Sequence, residues 1–188
     1  MTLTDFPMLW LAALAAAFGL VVGSFVNVVA HRLPLMLERR WTLHADESTD
    51  AAAPAGQLAA MHGHARYNLA WPRSHCPHCG HALAWYETLP LLSFALLRGR
   101  CAHCQAPISL QYPMVELCTA LWCVTCVLHW HVSWAALCWA GFGAAMLALA
   151  VIDWQTTYLP DDITQPLLWS GLITAALGVS GTPPRSEE

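Results

Sequence analysis

The chain has 188 residues, 57% of them hydrophobic and only 11% charged, with a mean hydropathy of +0.46. Soluble proteins carry about 25% charged residues, so a water-soluble globule is excluded along with disordered and fibrous classes, and the apolar surface must be hidden in a bilayer. A net charge of -4 and a pI near 6.2 leave no basic face for phosphates, so no nucleic-acid partner is expected.

Residues 8–30 contain no charged side chain, and about 20 apolar residues in helical form cross a hydrocarbon core. This predicts a first transmembrane helix over 8–30. A cleaved signal peptide is the alternative. Against it, residues 1–7 hold no Lys or Arg, the apolar stretch is too long, and Arg32, Arg39 and Arg40 follow it rather than precede it. Gly19 and Gly23 stand four apart, a spacing that suits close helix packing and also arises by chance in membrane helices.

Residues 31–113 change character, with Pro, His, Arg and acidic residues and no uninterrupted apolar run of spanning length. They are expected to form a water-exposed module, with a mobile loop over 44–63. Three further apolar segments, 115–128, 134–152 and 163–179, predict three more helices within 114–180; the first is short and the last is broken by Pro166. Residues 181–188 form a polar tail. The expected fold class is an all-α polytopic membrane protein of about four transmembrane helices, with a small cytoplasmic zinc-ribbon-like module between the first and second.

The chain has no Lys, and seven of its eight Arg (Arg32, Arg39, Arg40, Arg66, Arg73, Arg98, Arg100) lie in the 31–113 module. Basic residues near spans mark the cytoplasmic side. The module is therefore expected in the cytoplasm, the hairpin near His129 and His131 outside, and Asp153 back on the cytoplasmic side.

Cys76-Pro-His-Cys79 and Cys101-Ala-His-Cys104 are two C-x2-C pairs separated by 21 residues. Each pair brings two thiolates to one ion from a tight turn, and two such knuckles close the tetrahedral four-sulfur site that structural zinc prefers. Redox dithiols or unliganded thiols are the alternatives; disulfides are disfavoured in a cytoplasmic module. His75, His78, His81 and His103 crowd the same knuckles, where a His could replace a thiolate; they are read as solvent-facing, since four Cys complete the shell. Cys118, Cys123, Cys126 and Cys138 fall in apolar segments, where core packing is the expected role.

Asp153 closes the long uncharged run 134–152, and a carboxylate at a membrane helix end is a functional candidate; a simple solvated helix end is the alternative. Asp161 and Asp162 follow Pro160 and are read as helix caps. Glu116 is read as an interfacial residue at the start of the second span.

Several of these stretches form one ordered set. Gly23-Ser-Phe-Val-Asn-Val-Val-Ala-His-Arg-Leu-Pro34 resembles the GSFLNVVIxRLP segment of the type IV prepilin leader peptidases. The resemblance continues through 67–74, the four cysteines, 89–93, 97–101, 112–117 and Ile152-Asp-Trp-Gln-Thr-Thr-Tyr-Leu-Pro-Asp161. Seven motifs in order are specific where one alone would be weak. The resemblance implies a polytopic inner-membrane aspartic endopeptidase of bacteria. Such an enzyme cleaves the leader of type IV prepilins and type II secretion pseudopilins, then methylates the new N-terminus with S-adenosylmethionine. It maps the first catalytic Asp onto Asp153, which opens a D-x6-PD-like pattern, and the family's cysteines onto Cys76, Cys79, Cys101 and Cys104. Thr88 replaces a usual Asn, and His31 a common Tyr.

An aspartic protease needs two carboxylates, one ionised and one protonated. The family carries the second in a Gly-x-Gly-Asp motif that these 188 residues lack; Gly141-Phe-Gly143 is followed by Ala144 and reads as helix packing. The expectation is therefore the N-terminal half of a prepilin peptidase, as a truncated product, a fragment or one part of a split enzyme with a separate C-terminal half. The alternatives are a non-catalytic membrane zinc-module protein that binds pilin precursors or assembly components, and a methyltransferase without proteolysis. No Gly-rich nucleotide fingerprint marks a site for the methyl donor.

Overall fold

The computed structural model describes residues 5–46, 68–69, 71, 73–76 and 78–179. Most of the expected 44–63 loop and the 181–188 tail lie outside the described residues. The described residues are mostly helical: α1 is Asp5–Asp46, α2 is the short Leu92–Leu96, α3 is Gln111–Trp130, α4 is Trp134–Thr156 and α5 is Asp161–Ala176. Among the described residues there is no strand, only the isolated bridges His75 to Ala82 and Arg100 to Pro107.

Three helices, α1, α3 and α4, are long and apolar enough to cross a membrane. The helix α1 does not stop at Ala30, where the apolar run ends. It has 42 residues and continues through Pro34 to Asp46. At about 1.5 Å per residue it is roughly twice as long as a hydrocarbon core is thick. Leu33, Leu35, Met36 and Leu37 prolong its apolar content past the first Arg, and residues 44–46 are helix rather than loop. The last apolar segment forms α5, whose 16 residues carry Pro166 and are none of them buried. It falls short of the roughly 20 residues a span needs, leaving three full spans and one shorter apolar helix.

The central packing is α1 against α3, antiparallel and in a fixed register. A Cβ built on Gly19 would lie 2.5 Å from the Ala120 Cα, and one on Gly23 would lie 2.6 Å from the Glu116 Cα. One turn further along, Asn27 Nδ2–H donates to the Tyr112 carbonyl at 3.0 Å. Each step moves four residues up one helix and four down the other. The two glycines are what lets the backbones meet, the use to which membrane helices put small residues. Val26, Val115, Ala144 and Ala148 form the buried centre, with Val22, Leu147 and Val151 packed around it.

The outer hairpin is set by Ser133, whose Oγ accepts the Ala136 N–H at 3.2 Å and caps α4. Gly143 packs against the Trp122 indole, which donates to the Trp139 carbonyl at 2.8 Å. Gly141 meets nothing within 4 Å. The helix-packing reading of this pair therefore holds for Gly143 alone.

Candidate functional site

Two knuckles with the same wiring build the cysteine cluster. In the first, Cys76 N–H donates to the His81 carbonyl and Gly80 N–H returns to the Cys76 carbonyl, both at 2.9 Å. In the second, Cys101 N–H donates to the Ala106 carbonyl at 2.9 Å and Gln105 N–H to the Cys101 carbonyl at 3.0 Å. The turn closes at a positive φ in each, 69° at Gly80 and 59° at Gln105. Cys76 and Cys101 are buried while Cys79 and Cys104 face outward.

The four Sγ atoms all lie within 4.8 Å of one another, and Cys76 Sγ is 3.7 Å from Cys104 Sγ. A tetrahedron with Zn–S bonds of about 2.3 Å has S–S edges of about 3.8 Å. The spacing is that of ligands around an ion, and far from a disulfide bond of about 2.0 Å. Electrostatics favours the same use. Backbone N–H groups of His78 and Cys79 pull the Cys76 thiol down to about 7, and those of Cys104 and His103 lower Cys101. For Cys104 the Ala106 amide lowers the thiol, but desolvation and bonds to Cys79, Cys101 and Cys76 outweigh it and push it up to about 12. Cys76 and Cys101 are thus held down and Cys104 is held up, a conflict that a divalent cation bound by the sulfurs would resolve by displacing the remaining proton.

The knuckle histidines lie outside this set of four sulfurs. His81 and His103, one from each knuckle, stack with ring centroids 5.4 Å apart and planes 11° off parallel. His81 Nε2 approaches Glu87 Oε2 at 3.6 Å, and that buried carboxylate also accepts the Ala84 N–H at 2.7 Å. His78 is exposed.

Asp153 lies exposed in the last turn of α4. Its carbonyl accepts the Thr157 N–H at 2.7 Å, where a left-handed Thr157, φ 52°, ends the helix. Two residues on, Gln155 Nε2–H donates to Gln111 Oε1 at 2.8 Å. Gln111 opens α3 only four residues after Pro107 of the second knuckle, so the Asp153 end and the cysteine module share one side of the bundle. The overhanging end of α1 reaches the same place. Trp41 meets Tyr158 edge-on at 5.2 Å, and Arg40 pairs with Asp162 at 3.9 Å. Pro160, not an Asp, is the N-cap of α5. Asp161 and Asp162 occupy its first turn, where carboxylates favour the helix dipole, and Asp161 Oδ1 accepts from Thr164 Oγ1 at 3.4 Å.

Comparison with known proteins matches residues 17–130 to the bacterial peptidase A24 N-terminal domain and residues 140–186 to the type IV leader peptidase family. The chain belongs to the A24 prepilin leader peptidase family. It is 49% identical over 160 residues to a prepilin leader peptidase/N-methyltransferase of Burkholderia pseudomallei (strain 1026b), covering 85% of this chain and 50% of that one. A protein of the same name from Pectobacterium carotovorum subsp. carotovorum is 44% identical over 180 residues, covering 94% of this chain and 59% of the relative. One from Aeromonas hydrophila is 44% identical over 173 residues, covering 88% and 55%. The chain thus spans about half the length of the curated relatives it matches. No solved structure matches it.

The A24 segment at 23–34 has a physical explanation that sequence patterning alone did not supply. Gly23 admits α3, Asn27 ties α1 to the first turn of α3, and the buried Arg32 donates from NH1 to the carbonyls of Asn68 at 3.0 Å and Leu69 at 3.3 Å. Glu116 is buried rather than interfacial, with its Oε2 accepting the Leu91 N–H at 2.8 Å and the Ser24 hydroxyl beside it. A lone carboxylate six residues into a span is itself a signal. Its burial follows from the approach of Gly23, which no local pattern encodes.

Proposed function

We propose that this protein is the part of a prepilin leader peptidase/N-methyltransferase that carries one catalytic carboxylate, Asp153, and a structural zinc module. The observation that carries the reading is the position of Asp153. It opens the D-x6-PD segment and stands exposed at a helix end, tied through Gln155 and Gln111 to the helix that leaves the cysteine module. In the reaction an ionised carboxylate takes a proton from the attacking water while a protonated partner polarises the scissile carbonyl. Asp153 takes one of these places. The other belongs to a Gly-x-Gly-Asp segment, a motif that residues 1–188 do not contain.

The substrates are type IV prepilins and type II secretion pseudopilins, whose apolar segment stays in the lipid while the leader meets Asp153 at the membrane surface. The protein lies in the bacterial inner membrane with the 31–113 module in the cytoplasm, in keeping with the Arg distribution. Cys76, Cys79, Cys101 and Cys104 hold a zinc ion that ties the two knuckles together and does no chemistry at the peptide bond. Methylation of the new N-terminus would draw its methyl group from S-adenosylmethionine.

The test is leader cleavage in membranes. Membranes containing the chain, alone and together with the C-terminal part of a curated relative, are incubated with a type IV prepilin. Cleavage is expected only in the combination, and Asp153→Asn should lower its kcat at least about a thousandfold. Undiminished cleavage with Asp153→Asn would sink the assignment. Asp153-dependent cleavage by the chain alone would sink the second-carboxylate statement.

A further inference from the structure

The first two turns of α3 carry three bonds that leave in three directions. Gln111 Oε1 accepts from Gln155 on α4, two residues past Asp153; the Tyr112 carbonyl accepts from Asn27 on α1; and Glu116 Oε2 accepts from Leu91. The third differs from the others because it leaves the bundle. Leu91 lies between the two knuckles, in the connector that runs from the single turn Trp85–Thr88 into α2.

Leu91 is strained, with φ 52° and ψ -39°, a region that a branched side chain rarely adopts. The next amide, Leu92 N–H, folds back onto the Pro90 carbonyl, and Ala95 N–H takes the Leu91 carbonyl at 2.9 Å. The Leu91 N–H therefore points out of its own turn, and its acceptor is Glu116. A buried carboxylate in a membrane helix is costly, and it persists where its bonds are needed. Within the bundle Glu116 also meets the Ser24 hydroxyl of α1, but the close approach of α1 to α3 is made by backbone at Gly19 and Gly23 rather than by the carboxylate.

We infer that Glu116 is a positioning residue: it fastens the connector of the cysteine module to α3 and, through α3 and Gln111, sets the end of α4 that carries Asp153. The second half of this statement rests on the peptidase reading of Asp153; the first half does not. Metal in the knuckles would then fix both ends of the connector, and Glu116 would fix its middle.

Two substitutions in the full chain, reconstituted in lipid nanodiscs, separate the roles of Glu116. Glu116→Leu keeps the volume and removes the acceptor, while Glu116→Gln keeps a carbonyl oxygen that can accept the same N–H. Hydrogen exchange of the peptide covering residues 85–97 is expected to quicken at least about tenfold in Glu116→Leu and less than about threefold in Glu116→Gln. Zinc content should match the parent in both, because the knuckles are untouched. In the Asp153-dependent cleavage assay, Glu116→Leu should lower kcat by about ten- to a hundredfold with KM unchanged, with Glu116→Gln restoring it. Exchange unchanged in Glu116→Leu, or equally fast in both variants, overturns the fastening. Quickened exchange with unchanged kcat overturns the positioning of Asp153. If the parent combined with the C-terminal part of a relative shows no Asp153-dependent cleavage, the peptidase reading fails, and the exchange comparison by itself still upholds or overturns the fastening.

Discussion

Gln105 occupies in the second knuckle the place that Gly80 holds in the first, and both have positive φ. A side chain with a Cβ pays for that conformation, whereas glycine does not. Gln105→Gly is therefore expected to stabilise the module by about 1 kcal/mol. It should be read as slower zinc release to a chelator at fixed pH, with Gly80→Gln producing the opposite change. The thiols predict a pH dependence of the same readout. Cys76, ordinarily near 9.0, is held near 7, so its thiolate is available above about pH 7 and is lost as pH falls through that value. Cys104 is shifted the other way and keeps its proton unless a cation displaces it. Zinc binding must then release protons, and zinc retention should fall as pH drops below about 7. Calorimetric titration in buffers of different ionisation enthalpy checks the proton count; a heat independent of buffer would contradict it.

At the scale of elements, the seam between α1 and α3 makes the strongest demand on residue size. A side chain at Gly23 meets the Glu116 backbone, not a flexible neighbour that could move aside. Gly23→Leu should cost about 1–3 kcal/mol, seen as unfolding at lower denaturant in mixed micelles. Gly141→Leu, in open space, should be silent. These elements show what the sequence made legible and what it did not. The three spans follow from uncharged runs and their lengths, and the four-sulfur site follows from C-x2-C spacing, because both are local properties. The end of α1 was hidden because Arg32, Pro34, Arg39 and Arg40 mark the end of lipid, not the end of helix. Asp161 and Asp162 looked like caps because of their type, although Pro160 already held the cap position. Glu116 read as interfacial, Arg32 as a basic residue beside a span and Asn27 as part of a motif, because each is buried by a partner from a distant part of the chain. The register of α1 and α3 brings Asn27 to Tyr112, while the partners of Arg32 and Glu116 lie in the segment that joins the two helices.

For the whole molecule, the arrangement requires that the cysteine module and the Asp153 end share one side and that the Ser133 hairpin face the other. Helix α3 starts next to the second knuckle and α4 runs back beside it. The Gln111 to Gln155 bond holds the start of one against the end of the other. In the orientation proposed from the Arg distribution the shared side is cytoplasmic, since seven of the eight Arg lie between residues 31 and 113. Trp154 and Val132 report on the two sides, being 88% and 75% exposed. Cysteines placed there, Trp154→Cys and Val132→Cys, can be introduced after Cys118, Cys123, Cys126 and Cys138 are changed to Ala, with the label located by peptide mapping to tell it from the four module cysteines. A membrane-impermeant maleimide added to intact spheroplasts should label the cysteine at position 132, and the one at 154 only after permeabilisation. Labelling of position 154 in intact spheroplasts, with 132 protected, would invert the orientation. It would put the cysteine module outside the cytoplasm, where its thiols would face an oxidising compartment and disulfide formation would compete with metal.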